Sequence, residues 1–113
     1  MSTATVETKV KKSLIDKNVK AFLKTIRKVY GTLDQSGYNT TYTTTGLGEP
    51  LTVFEFNIDS IFGIAGAYYI SKGEWFSAKN EYKLKDFSPD NQDFAIGAIL
   101  EVQAKSLDNI LHC

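Results

Sequence analysis

Residues 63–75 read GIAGAYYISKGEW, and the topology turns on how they are taken: small residues lead into paired tyrosines, a lysine-glycine step and the chain's only tryptophan. Joined to Ile61 and Phe62, the first half is apolar at odd and even positions alike, the pattern of an inner strand covered on both faces. Lys72-Gly73 suits a two-residue turn. The following WFSAKNEYKLK then alternates, with Phe76, Ala78, Tyr82 and Leu84 on one side and Ser77, Lys79, Glu81 and Lys83 on the other. The spacing predicts two antiparallel strands in which Ile70 faces Trp75, Tyr69 faces Phe76 and Tyr68 faces Ser77.

Upstream, YNTTYTTTG and LTVFEFNID change sides every second residue and are rich in β-branched and aromatic side chains, which predicts two further strands joined by the GLGEP loop. Before them, Ile15, Val19, Phe22, Leu23, Ile26, Val29 and Tyr30 repeat at helical spacing up to Gly31. Ser13 followed by Asp16 resembles a capping box, so a helix is expected over 14–30. Its far side carries Lys17, Lys20, Lys24, Arg27 and Lys28. Lys11 and Lys12 would fall on the apolar side of an earlier start, so residues 1–12 are read as a loose basic tail. At the other end, Ser88-Pro89-Asp90 opens a helix expected over 89–111, weakened at Gly97 by about 1 kcal/mol relative to alanine. The expected fold is therefore α+β: one domain, residues 1–113, with a four-stranded antiparallel meander between an N-terminal and a C-terminal helix, order α-β-β-β-β-α.

In that arrangement Gly63, Ala65 and Ala67 let helices lie close on one sheet face. Phe62, Ile64, Tyr68, Ile70 and Trp75 share the other, which is too apolar to meet water uncovered. Tyrosine and tryptophan on an open sheet are the chemistry of an interface hot spot. These five residues are the expected partner-binding surface of a small non-enzymatic regulator or inhibitor, with a protein partner or a second copy in a homodimer. The competing arrangement puts one helix on each face and makes Trp75 ordinary core.

Charge supplies a second reading. Net charge is zero, yet residues 1–30 carry eight Lys or Arg against Glu7 and Asp16, and the acids are concentrated beyond them. Nucleic-acid binding through Lys17, Lys20, Lys24, Arg27 and Lys28 follows from the first half, and the acidic remainder opposes it. A third reading is a small-molecule-binding domain with a cavity between helix and sheet lined by Tyr68 or Tyr69, for which the sequence displays no convergent polar groups.

Other chemistries find little support. Asp108, His112 and Cys113 offer carboxylate, imidazole and thiol, but the last two end the chain, where a nucleophile lacks a fixed base. Gly46-Leu47-Gly48 lacks the following helix that would hold a phosphate, and SPDNQD lacks the glycine and terminal glutamate of a calcium loop. One histidine and one cysteine make a transition-metal site within one chain, or a disulfide, an unsuitable expectation. No cofactor is called for. No apolar run reaches the roughly 20 residues of a membrane span, and the polar N-terminus is unlike a secretory signal, so a cytoplasmic protein is expected.

Overall fold

The computed structural model describes residues 3–43, 46–47, 51, 56 and 63–104. It is α+β with an antiparallel sheet, and helices dominate it. Four of them, α1 (Thr3–Ser13), α2 (Lys17–Tyr30), α3 (Lys72–Tyr82) and α4 (Pro89–Ile99), surround short strands β1 (Thr41–Thr43), β2 (Gly46–Leu47), β3 (Ile64–Ala65) and β4 (Ile70–Ser71). A 3-10 turn, Gln35–Asn39, precedes β1, and a π-helical segment, Leu100–Ala104, continues α4. The sheet runs β2-β1-β3-β4 with every neighbouring pair antiparallel. The expected order α-β-β-β-β-α, with one helix at each end of a long-stranded meander, is thus overturned.

The reason lies in residues 63–75. The expected continuous strand folds back on itself: Ile64 pairs with Ser71 and Ala65 with Ile70, leaving Gly66 to Tyr69 as the hairpin loop. Gly66 has φ +83°, and a Cβ there would run into the side chains of Gln92 and Phe87. Glycine meets both the turn and the close approach. Tyr69 is also left-handed, at φ +55°, at a steric cost of roughly 1 kcal/mol. Its ring stacks on Tyr30 with centroids 4.0 Å apart and lies 3.8 Å from that of Tyr42, which ties the loop to α2 and β1.

Lys72-Gly73 is not a turn between strands but the first turn of α3. Ser71 is its N-cap: the hydroxyl accepts from Glu74 N–H at 3.3 Å, while Glu74 Oε1 accepts from Ser71 N–H at 3.1 Å. This reciprocal box satisfies donors a strand would have sent to a neighbour. The expected strand over 75–85 is accordingly helix as far as Tyr82, and Trp75, Ala78 and Tyr82 recur at helical spacing on its inner face. The expected strand over 51–59 lies outside the described residues apart from Leu51 and Phe56. Of the expected helix 89–111, residues beyond 104 do so as well.

The two N-terminal helices are separate. Val6, Val10 and Ser13 are buried on α1, so residues 3–12 of the expected tail are packed structure. Lys11 and Lys12 stay exposed because the helix stops at Ser13 and α2 restarts with its own phase. Asp16, not Ser13, caps α2, its Oδ1 accepting from Asn18 N–H at 2.8 Å; left-handed Gly31 closes the helix. Gly97 lets α1 pack against α4, since a Cβ there would lie 2.8 Å from Val10 Cγ1. At the centre of the core, Trp75 meets Phe87 edge-on at 4.8 Å, and Phe56 meets Phe87 at 5.2 Å.

Candidate functional site

Of the five residues expected to form an open aromatic face, Tyr68 is 5 %, Ile70 1 % and Trp75 1 % exposed. Ile64 is half-buried, and Phe62 lies outside the described residues. Among the described residues the expected face is not an open surface: hairpin formation and the turn to helix at Lys72 fold Tyr68, Ile70 and Trp75 into the interior. Trp75 is core, as the competing arrangement required, though by a different topology.

The burial of Tyr68 is nevertheless not that of a plain core side chain, because its hydroxyl ends in a polar cluster. Three buried hydrogen bonds set its loop in place. Thr32 Oγ1 donates to Ala67 O at 2.6 Å, Gln92 Oε1 accepts from Ala67 N–H at 3.0 Å, and Gly66 N–H donates to Thr40 O at 2.7 Å. Gln92, fully buried on α4, also donates from Nε2 to Tyr38 O and Phe87 O, each at 2.8 Å. One side chain thus joins the hairpin loop, the 3-10 turn and the entry to α4. One residue further along α4, Asp93 meets the two tyrosines positioned by that network.

Asp93 Oδ1 accepts from Tyr68 Oη–H at 2.6 Å and from Tyr38 Oη–H at 2.9 Å. The rings of Tyr38 and Tyr68 meet edge-on at 6.2 Å. Arg27 Nη1 donates to Tyr38 Oη at 3.3 Å, and its guanidinium carbon sits 4.4 Å from the Tyr38 ring centroid. Three further donors are taken by carbonyls: Nε by Thr32 O at 2.9 Å, Nη2 by Leu33 O at 3.0 Å and Asp34 O at 2.8 Å. Arg27 therefore organises the α2 C-terminus from within, and of the five expected nucleic-acid contacts it is the one directed inward.

Burial controls the electrostatics. It raises the Asp93 carboxyl above its ordinary value, against the opposing effect of the two tyrosine hydrogen bonds and the Arg27 charge. It likewise raises Tyr68 strongly, reinforced by the hydrogen bond to Asp93 and its charge, and raises Tyr38. Both phenols are therefore donors at neutral pH.

The cluster forms the polar wall of a pocket of about 520 Å³ between α2, the 3-10 turn and α4. Leu14, Leu23 and Leu33 supply its apolar lining; Lys20 and Lys24 reach it from α2. Both lysines are exposed, and neither has an ion pair among the described residues. At 100° per residue Lys17, Lys20, Lys24 and Lys28 occupy an arc of about 80° on α2, so the expected basic face is real, and its two middle lysines border the pocket. A larger groove of about 710 Å³ between α1, α3 and α4 is lined by Val6, Ala78, Ala98 and Ile99, with Glu74 already committed to the α3 cap. It gathers no comparable set of opposed charges.

Sequence reasoning missed Tyr38, Asp93 and Gln92. Tyr38 was read as strand and Asp93 only as an early-helix oxygen, and no local pattern brings together residues 55 positions apart. Among the described residues no group of three or more metal-ligating side chains occurs, and no helix is long and apolar enough to cross a membrane. Comparison of the chain with protein-family models, curated proteins and solved structures finds no match.

Proposed function

We propose that this chain is a small-molecule-binding domain that holds a small metabolite, bearing a carboxylate or phosphate for Lys20 and Lys24, in the pocket between α2 and α4. The observation that carries the reading is the convergence of Lys20, Lys24, Tyr38, Tyr68 and Asp93 on one pocket whose walls are otherwise apolar. Apolar walls with a few placed polar groups are the usual composition of a ligand site. Rigid support adds to it: the polar wall hangs on the buried Gln92 and Thr32 bonds, so little ordering remains for the ligand to induce. Binding without turnover fits the phenols, because burial keeps both protonated and neither is poised as a base or nucleophile at neutral pH.

The test is thermal stability of the wild-type chain across a panel of mono- and dicarboxylates and phosphate monoesters. A stabilising anion is expected, and Lys20→Gln with Lys24→Gln should abolish its effect while leaving the ligand-free melting point nearly unchanged. A flat panel, or equal stabilisation of the double variant, would remove the reading.

Protein binding keeps a separate basis on the other flank of α2. On α2, Phe22 is 38 % and Val29 77 % exposed, seven residues apart, and Ile15 in the turn before the helix is 77 % exposed. Exposed apolar side chains aligned on one flank of a helix are open to packing against a second helix. Here Phe22→Lys should lower a concentration-dependent solution mass toward the 12.6 kDa of one chain; a mass that is already monomeric at high concentration removes self-association.

A further inference from the structure

Resting on that pocket reading, the charges within it narrow the ligand further. Asp93 Oδ1 is occupied by both tyrosine hydroxyls, whereas Oδ2 carries no hydrogen bond among the described residues. A simple anion entering the pocket would meet this desolvated carboxylate, and Arg27 cannot clamp it with two donors because four of its five N–H groups are held by three carbonyls and Tyr38. A simple cation would meet Lys20 and Lys24 instead. Only a ligand carrying both signs satisfies both ends. We infer that the pocket takes a small zwitterion, an amine joined to a carboxylate, with the ammonium donating to Asp93 and the carboxylate at Lys20 and Lys24. The aliphatic link between the charges then lies along the leucines of the lining. Charge-assisted hydrogen bonds at both ends give each end its own share of the affinity.

The experiment is an NMR titration of the full chain with β-alanine, γ-aminobutyrate, δ-aminovalerate and ε-aminocaproate, each beside its chain-matched carboxylate and amine. The best-fitting amino acid should bind about tenfold more tightly than either matched compound, as expected for one hydrogen bond between charged groups. Asp93→Asn, which keeps an acceptor for the tyrosines, should reduce its affinity to that of the carboxylate. Lys20→Gln with Lys24→Gln should reduce it to that of the amine. If the plain carboxylates bind the wild-type chain as tightly as the amino acids, the zwitterion inference falls and the anionic pocket stands. If nothing in the series binds, and the broader anion panel is flat too, both fall together. The wild-type comparison decides even if a variant misfolds.

Discussion

Asp93 shows how a residue with no local signature acquires a role. Its sequence neighbourhood announces only a helix start, and its importance comes from Tyr38 and Tyr68, both pointed at one of its oxygens. Because burial raises its folded-state pKa above the unfolded value, the neutral acid is more favoured in the fold than in the unfolded chain. The stability this contributes is fully present below the unfolded pKa and is lost as pH rises through the folded one. Asp93→Asn removes that titration. Between about pH 7 and about pH 4, the urea midpoint of the wild-type chain should therefore rise relative to that of Asp93→Asn as the solution is acidified. Parallel profiles would mean that the carboxyl is not desolvated. Trp75 gives the reverse lesson: its hydrophobicity was legible, but whether it faced a partner or the interior depended on a backbone reversal that no single residue type dictates.

Among the elements, α3 separates the legible from the hidden. Its stretch alternates well enough to pass for a strand, since Phe76, Ala78, Tyr82 and Leu84 share one parity, although Trp75, Ala78 and Tyr82 also fit the helical spacing. The overlooked signal was Ser71 with Glu74 three residues later, a capping box directly ahead of a lysine- and glutamate-bearing segment. Ser71→Ala should cost about 1 kcal/mol, measured by urea unfolding; no change would indicate that tertiary packing alone fixes α3. By contrast the body and the C-terminal end of α2 were readable, because a strong apolar arc, a basic arc and a closing glycine agree, while its start falls at Lys17 rather than at residue 14. α1 was hidden by assuming one continuous helical phase through residues 14–16. Gly97 also changes meaning at this level. Alanine would favour the helix locally, but Val10 occupies the space, so Gly97→Ala should lower stability by about 1 kcal/mol or more; a stabilised variant would show that α1 can move away from α4.

For the whole molecule, the sheet is a small connector and the helices carry the core. Gln92 is the junction, and its replacement by leucine would strand Ala67 N–H and the carbonyls of Tyr38 and Phe87 inside. Gln92→Leu should destabilise the fold by roughly 2–4 kcal/mol and shift the Tyr38 and Tyr68 ring resonances, whereas a neutral change would separate the hairpin from the site. The α+β class and antiparallel pairing were within reach of sequence patterns; the pocket was not, since its wall is assembled from α2, the 3-10 turn, the hairpin and α4 by long-range bonds. That wall is the claim most open to direct attack. Backbone amide spectra recorded during titration with δ-aminovalerate and its chain-matched carboxylate should show shifts gathered at Lys20, Lys24, Tyr68 and Asp93, with the buried Trp75 indole unmoved. Shifts centred on the Trp75 indole or on the α1–α3 groove, with none at Asp93, would contradict it.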